Sequence, residues 1–226
     1  MYSVIIPTLW LPHYFLNTLR VLCDYSLVDE IIIIDNDKTK TPTDNILKHH
    51  KIKLLTQESN IYVNPAWNLG VSLCKNEKIC ILNDDITFDL HIFDYLNEKL
   101  NKSIGIIGLD MLGIMNENND NSPSWEMLVD NCKFENYISL YAIETRIFGF
   151  GCIMFFHIGS YYEIPKDLLV FCGDDYLVEM NKKMNKQNYV FTGVRNCQIY
   201  GVSSENTFIN LPEHHIEDKT KHLKYF

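Results

Sequence analysis

An apolar segment runs directly into two adjacent carboxylates in the first half of this sequence. Residues 78–82 read Lys-Ile-Cys-Ile-Leu, and Asn83, Asp84 and Asp85 follow at once. A carboxylate beside a buried strand loses hydration at a cost of several kcal/mol unless it pairs with a cation, binds a metal or stays in contact with water. Carboxylate oxygens suit Mg²⁺ and Mn²⁺. The segment therefore indicates a site for a divalent metal and a nucleotide.

Small polar or acidic residues also follow two other apolar segments. Pro7 and Thr8 come after residues 2–6, and Asp35 comes after residues 30–34. Aspartate and asparagine often begin turns, and any one of these positions alone is better explained in that way. In a parallel sheet, however, ligands bind beyond the carboxyl ends of the strands. The coincidence of polar groups at three strand ends favours a shared binding site.

The strands that position these residues are continuous apolar runs. They lie at residues 2–6, 30–34 and 79–82, with a weaker run at residues 52–55. Apolar character without alternation is typical of strands that are covered on both faces, as in parallel sheets. These runs therefore predict a parallel sheet with helices on its faces.

Helical patterns separate the apolar runs. Apolar residues recur at helical spacing from Leu16 to Cys23 and again within residues 65–75. Asp89 is placed to cap a third helix, after which residues 104–109 return as a strand. This alternation predicts an α/β fold.

Length, charge and cysteine spacing limit the class of protein. The 226 residues, of which 46% are hydrophobic, suffice for one domain over residues 1–226. The formal charge of −9 argues against a nucleic-acid partner, because proteins that bind phosphate backbones usually carry a basic face. The seven cysteines include no C-x-x-C pair and are expected to be reduced. With no apolar run long enough to span a bilayer, we expect a soluble cytoplasmic protein, or one in a host-cell cytoplasm if the source is viral.

Two common phosphate-binding loops are absent from the sequence. Neither G-x-G-x-x-G nor G-x-x-x-x-G-K-[ST] occurs after the first strand. A diphosphate would therefore need a metal to balance its charge, and the adjacent Asp84 and Asp85 are the expected holders of that metal.

The second half of the chain predicts a mixed set of elements. Residues 146–158 are strand-like but interrupted by Gly149 and Gly151. Residues 217–224 alternate in charge, which predicts a solvated helix. The remaining expectations are a helix at residues 176–186, short strands at 189–192 and 197–200, and surface positions for His214 and His215.

Six segments, taken in order, form a recognisable set. They are Val-Ile-Ile-Pro-Thr at 4–8, Ile-Ile-Ile-Ile-Asp-Asn at 31–36, Asn-Pro-Ala-Trp-Asn-Leu-Gly at 64–70, Leu-Asn-Asp-Asp at 82–85, Phe-Gly-Phe-Gly-Cys at 148–152 and Phe-Cys-Gly-Asp-Asp at 171–175. This set resembles the family-2-like glycosyltransferases with the GT-A fold. The resemblance implies a mostly parallel central sheet flanked by helices, with a nucleotide-sugar-binding half at residues 1–110 and an acceptor half at residues 111–226.

The resemblance implies roles for the residues at the strand ends. Asp35 would accept a hydrogen bond from the base or ribose, and Asp85 would bind Mn²⁺ or Mg²⁺. Two positions depart from the family pattern: Asn83 stands where an aspartate is usual, and Trp67 stands where a cationic residue is common. The implied nucleotide-sugar-binding residues are Pro7, Thr8, Asp35, Asn68, Asn83 and Asp84.

The resemblance also implies a reaction, in which a sugar moves from a nucleotide-diphosphate sugar, with UDP favoured, to a hydroxyl of a glycan or another acceptor. Attack opposite the leaving group would invert the anomeric centre. Asp175, with Asp174 as its rival, is the expected general base. Asp174 equally suits the N-cap of the following helix. The expected acceptor-binding residues are Trp125, Gly149 and Gly151, although glycine in a strand also suits a bulge.

Two other functions fit part of the same pattern. The Gly173-Asp174-Asp175 segment also resembles the carboxylates of nucleotidyl transferases, which hold two metals for phosphoryl chemistry. The acidic surface speaks against a template-bound polymerase. A degenerate transferase that only binds a sugar or a protein is the third interpretation, motivated by Asn83 and Trp67.

Overall fold

A central eight-stranded sheet organises the protein in a computed structural model that describes residues 1–110, 138–194, 196–198 and 211–226. The strands are β1 (Tyr2–Thr8), β2 (Val28–Asp35), β3 (Ile52–Thr56), β4 (Lys78–Leu82), β5 (Ile86–Phe88), β6 (Ile104–Leu109), β7 (Ser139–Ile143), β8 (Ile153–His157), β9 (Gln187–Thr192) and β10 (Asn196–Gln198). The helices are α1 (Phe15–Asp24), α2 (Val63–Ser72), α3 (His91–Asn97), α4 (Gly173–Lys183) and α5 (Leu211–His222), with 3₁₀ turns at Asn45–Lys48, Phe150–Cys152 and Ile158–Ser160.

The first half of the sheet is parallel, as the apolar runs predict. In space the strands follow the order β3-β2-β1-β4-β8-β6-β9-β7, and the first four of these are parallel. Val4 and Ile6 pack against one face of the sheet and Ile5 against the other, and all three are fully buried. Burial on both faces explains why these strands show no polar alternation. The four predicted strands of this half are confirmed, each with slightly longer bounds.

Helices cover both faces of the sheet, which confirms the predicted architecture. The apolar residues of α1 and α3 belong to the core on one face, and those of α2 and α4 belong to the core on the other. Helix α2 approaches β1 closely, because a β-carbon on Gly70 would lie 2.3 Å from Ile5. Asp89 is not the N-cap that its position suggests: α3 begins at His91 after the cap residue Leu90, although Asp89 accepts a hydrogen bond from the His91 amide at 3.0 Å.

Strand β8 interrupts the parallel order. It lies between β4 and β6 and is antiparallel to both, while β7 is antiparallel to its neighbour β9. Gly149 has a φ of +78°, which favours glycine, and it leads into the turn Phe150–Cys152. Because of that turn, the segment predicted to be strand-like from residue 146 becomes a strand only at Ile153.

The elements near the C-terminus differ in part from the expectation. Helix α4 begins at Gly173, earlier than predicted, and β10 pairs with β5 in a separate two-stranded sheet. The charge-alternating residues do lie in or beside a helix, but α5 is not fully solvated, since Asp218 has no exposed surface. His215 is exposed, as predicted, whereas His214 is half-buried. No helix among the described ranges is long and apolar enough to cross a membrane.

Candidate functional site

Thr8 brings the ends of three neighbouring strands together at one edge of the sheet. It is the last residue of β1, and in the register of the sheet it lies opposite Asp35, the last residue of β2. Its hydroxyl donates a hydrogen bond of 2.6 Å to Oδ2 of Asp84, which follows β4. The predicted convergence of Thr8, Asp35 and Asp84 is therefore present, and Pro7 lies beside them on β1 opposite Ile34.

Asp35 is fully buried and acts as a hub for hydrogen bonds. Its Oδ1 accepts from the Trp10 indole at 2.8 Å and from the Asp37 amide at 3.1 Å. Its Oδ2 accepts from the hydroxyls of Thr41 at 2.5 Å and Thr56 at 3.3 Å. These contacts hold the carboxylate rigidly, so a nucleotide that binds Asp35 must replace at least one of these donors.

Trp10 is a site residue that sequence patterns did not indicate. Besides its bond to Asp35, its backbone N–H donates to the Thr8 hydroxyl at 2.8 Å, so it contacts two of the strand ends. Its φ is +59°, a conformation that costs a non-glycine residue of order 1–3 kcal/mol and that tends to occur at functional sites. A half-buried aromatic residue thus contacts both Thr8 and Asp35 at this edge of the sheet.

The adjacent carboxylates Asp84 and Asp85 are arranged to attract a cation. Burial, and then the charge of Asp85, raise the pKa of Asp84 from 3.8 to about 7, against the opposing hydrogen bond from Thr8. Asp85 is only 4% exposed. No ion pair involves Asp84 among the described residues. A divalent cation would relieve this repulsion, because it stabilises both ionised carboxylates.

The number of protein ligands fits a metal that is shared with a substrate. Within the ranges that the structure describes, no group of three or more His, Cys, Asp or Glu side chains could hold a metal alone. Mg²⁺ commonly binds through one or two carboxylates together with substrate phosphates, and Mn²⁺ prefers the same oxygen ligands. The pair Asp84 and Asp85 therefore fits a metal whose remaining ligands come from a diphosphate and water.

A second acidic pair lies at the start of α4. Asp174 and Asp175 are in its first turn, and the Arg146 side chain bridges them, with Nε 3.4 Å from Oδ2 of Asp174 and 3.1 Å from Oδ1 of Asp175. Burial raises the pKa of Asp174 to about 6, and Arg146 opposes that rise. The N-cap interpretation of Asp174 is wrong, since Cys172 occupies the cap position and Oδ1 of Asp174 accepts from the Asp175 amide instead.

The turn Phe150–Cys152 connects the two acidic pairs. On one side, the amide of Asn83 donates to the carbonyl of Cys152 at 3.0 Å. On the other side, a β-carbon on Gly151 would lie 2.9 Å from Oδ2 of Asp174. The end of β4 and the start of α4 are therefore held against the same short segment. The structure also gives a local reason for glycine at each of two positions: Gly149 has a left-handed backbone conformation, and Gly151 lies close to Asp174. Their acceptor-binding roles stay predictions.

Asn68 and Trp125 are the other two predicted site residues. Asn68 on α2 hydrogen-bonds within the protein: its amide nitrogen donates to the Ile164 carbonyl, and its oxygen accepts from the Ile164 amide and the Tyr161 hydroxyl. These bonds anchor the segment after β8, and a nucleotide contact by Asn68 stays a prediction. Trp125 lies outside the described residues.

Comparisons with known proteins bear on the family and the fold of this chain. The sequence model described as glycosyl transferase family 2 matches residues 3–160. No curated protein matches this chain at a significant level.

Several solved structures share the fold of this chain. S. aureus TarS 1-349 in complex with UDP-GlcNAc gives a TM-score of 0.52, 13% identity and coverage of 84% of this chain and 55% of that one. TarS 1-349 without a named ligand gives a TM-score of 0.53, 14% identity and coverage of 84% and 57%. GalNAc-T7 with UDP, GalNAc and Mn²⁺ gives a TM-score of 0.64, 13% identity and coverage of 88% and 44%. The chain thus spans less than two thirds of each neighbour, and the likeness establishes a GT-A fold.

Proposed function

The chain belongs to glycosyl transferase family 2, and from that premise we propose that it moves a sugar from a UDP-sugar to an acceptor hydroxyl. The observation that carries the proposal is the placement of two acidic pairs against one short turn, the first suited to a metal and the second bearing its own cation. Such a transfer needs a stabilised leaving group on one face of the sugar and a base on the other. The UDP complexes among the structural neighbours support uridine as the nucleoside.

The donor would bind at the carboxyl ends of β1, β2 and β4. Pro7, Thr8 and Asp35 line the proposed nucleoside position, and Asn83 adds an amide that can bond the ribose. Asp84 and Asp85 would hold Mn²⁺ or Mg²⁺, with Asp85 as the principal ligand. When bound, the metal supplies positive charge to the departing diphosphate. Thr8 would orient Asp84 through the hydrogen bond that the two already share.

The acceptor would be activated at the start of α4. The side chain of Asp175 is 29% exposed against 15% for Asp174, so Asp175 is the more accessible base. Its carboxylate accepts the acceptor's hydroxyl proton while the oxygen forms a bond to the anomeric carbon, and the bond from that carbon to the diphosphate oxygen breaks. Attack from the face opposite the leaving group inverts the anomeric centre. Arg146 would hold the two carboxylates in place, and its charge opposes the rise in the pKa of Asp174.

Calorimetric titration of UDP with and without Mn²⁺, followed by a panel of UDP-sugars with detection of released UDP, tests the proposal. We expect UDP binding that strengthens with Mn²⁺ and loses this dependence in Asp85→Ala. We also expect one sugar to give faster UDP release than the rest. UDP binding that is undetectable, or that is indifferent to both the metal and the Asp85→Ala substitution, would contradict it.

The same assays separate the alternative functions. Pyrophosphate release from a nucleoside triphosphate would favour nucleotidyl transfer, whereas sugar-dependent UDP release excludes it. A module that only binds a sugar nucleotide would bind UDP-sugar without turning it over, and Asp175→Asn would then change nothing.

A further inference from the structure

Asp218 on α5 is a buried carboxylate that binds a row of backbone amides. It has no exposed surface, and its oxygens accept hydrogen bonds from the amides of Leu169 at 3.2 Å, Val170 at 2.8 Å and Phe171 at 2.8 Å. Consecutive N–H groups that converge in this way form an anion-binding concavity. They offset the cost of burying the charge, because hydrogen bonds to the ionised form stabilise it.

The same segment is held from its other side by α2. The backbone amide of Asn64 donates to the Leu169 carbonyl at 3.0 Å, and its side-chain amide donates to the carbonyls of Leu168 at 3.3 Å and Phe171 at 3.0 Å. Asn64 is itself fully buried. Residues 168–171, which we call the clamped segment, are therefore held between α2 and α5 through both their N–H and C=O groups, which leaves this backbone little freedom.

The clamped segment leads directly into the second acidic pair. Cys172 follows it in a left-handed conformation, with φ of +62°, and α4 then begins with Gly173 and carries Asp174 and Asp175 in its first turn. Gly173 lies close against α2, since a β-carbon there would be 2.1 Å from Oδ1 of Asn64. The position of the clamped segment therefore fixes the position of the two carboxylates.

The rest of the C-terminal segment packs around the same helix. The Tyr176 ring lies 6.0 Å from that of Tyr225, and the Lys183 ammonium lies 4.1 Å from the Phe226 ring. Tyr225 also donates from its hydroxyl to Asp167 at 2.6 Å, just before the clamped segment. Residues 211–226 thus contact α4 and the chain that leads into it.

We propose that Asp218 is a positioning residue for sugar transfer: by binding the amides of Leu169, Val170 and Phe171, it holds Asp175 where an acceptor hydroxyl can reach it. The inference rests on the proposed function, because it gives Asp175 the role of general base. Asp218 hydrogen-bonds the clamped segment, which leads into Asp174 and Asp175 and contains none of the proposed donor-binding residues. We therefore expect its effect to fall mainly on turnover and not on donor binding.

The test compares Asp218→Asn with Glu217→Gln, an exposed neighbour on the same helix that also loses one negative charge. An asparagine keeps the shape of the side chain, but it loses the negative charge and replaces one of the two acceptor oxygens with an N–H₂ group that cannot accept from the backbone donors. We expect Asp218→Asn to lower kcat per UDP-binding site by roughly 10- to 100-fold, the scale of a small misplacement of a catalytic group. We expect UDP affinity and binding stoichiometry to stay unchanged, and Glu217→Gln to match the wild type.

Amide hydrogen exchange supplies a second measurement, and its wild-type arm does not depend on how the variant folds. In the wild-type protein the amides of Leu169, Val170 and Phe171 should exchange slowly, and in Asp218→Asn they should exchange faster while β1 and β2 stay protected. Fast exchange of these amides in the wild type, wild-type turnover in Asp218→Asn, or a loss of UDP binding in proportion to activity would each overturn the inference.

Asp175→Asn, measured in parallel, separates this inference from the function on which it rests. If Asp175→Asn keeps wild-type turnover, the proposed function fails whatever Asp218→Asn does. If Asp175→Asn is inactive and Asp218→Asn is not impaired, only the positioning role of Asp218 fails.

Discussion

The two acidic pairs of this protein differ in how their charge is balanced. Asp84 and Asp85 stand at the end of β4, where Thr8 gives Asp84 a neutral hydrogen bond and burial raises its pKa to about 7. Asp174 and Asp175 have Arg146 between them. A cation beside Asp84 would offset the repulsion that helps to raise its pKa, whereas Asp174 and Asp175 already have the Arg146 guanidinium at 3.4 and 3.1 Å. The two pairs consist of the same residue type but have different neighbours, the uncharged Thr8 hydroxyl for the first and the Arg146 cation for the second.

The largest expected effect comes from a substitution in the second acidic pair. Asp175→Asn removes the proposed proton acceptor while keeping its shape, and transfer should fall by roughly 100- to 10,000-fold, as for the loss of a general base. UDP affinity should not change, because the proposed donor contacts lie at the ends of β1, β2 and β4. Glu179→Gln, on the same helix, is the matched control. Sugar-dependent UDP release measures the effect, and near-wild-type release in Asp175→Asn would assign no catalysis to this pair.

The next largest effect tests whether the uncharged Thr8 hydroxyl orients Asp84 for metal binding. Thr8→Val deletes the hydroxyl that bonds Asp84, and the affinity for Mn²⁺ should fall by roughly 10- to 100-fold, the usual cost of losing a residue that orients a metal ligand. Thr8→Ser keeps the hydroxyl and should bind Mn²⁺ normally. Titration of UDP binding against Mn²⁺ gives both values. Equal metal affinity in the two variants would contradict the orienting role.

A smaller effect concerns the turn that lies between the pairs. Gly151→Ala would put a β-carbon 2.9 Å from Asp174 without straining the backbone, so Asp174 must shift and turnover should fall by roughly ten-fold. At Gly159 the nearest atom would be 3.3 Å away, on the His157 ring, so Gly159→Ala is a mild control. Steady-state kinetics measure turnover in both variants, and titration with UDP measures their donor affinity. If Gly151→Ala lowers UDP binding as much as turnover, the turn serves the donor site instead.

The smallest effect is a change in stability. The folded protein raises the pKa of Asp84 from 3.8 to about 7, so between about pH 4 and pH 7 it binds more protons than the unfolded chain, and its stability falls as the pH rises. Asp84→Asn removes this penalty and should raise Tm by a few degrees at pH 8, with no gain at pH 4.

A control of opposite sign accompanies that measurement. A hydrogen bond from Lys40 lowers the pKa of Asp37, so Asp37→Asn should lose stability at pH 8 instead of gaining it. Thermal unfolding in a chelator keeps metal from masking either effect. A lower Tm for Asp84→Asn at pH 8 would show that the first pair does not carry excess negative charge.

The donor side of the site could be predicted from sequence because its geometry follows from local rules. Apolar runs such as residues 31–34 identify parallel strands, and such strands end at a common edge. Thr8, Asp35 and Asp84 could therefore be placed together without knowledge of any side-chain contact. Four of the six segments that carry the family resemblance lie in this half of the chain.

The surroundings of Asp174 and Asp175 could not be predicted in the same way, because they depend on contacts between residues far apart in sequence. Arg146 meets Asp174 and Asp175 only after the antiparallel strand β8 has returned the chain to the sheet. Asp218 lies in a segment whose charge pattern predicts full exposure, and only packing shows that one of its carboxylates is buried. Trp10 was missed because a positive φ at a tryptophan leaves no mark in composition or periodicity.

Strand β8 also affects how the chain can mature on the ribosome. Its partner β4 is made early, but the pairing of Lys78 with His157 and of Leu82 with Ile153 requires about twice as much chain to be synthesised. Until then one side of β4 presents open backbone N–H and C=O groups, which can pair with other nascent chains. Fast translation or chaperone binding in this interval would protect the incomplete sheet from aggregation.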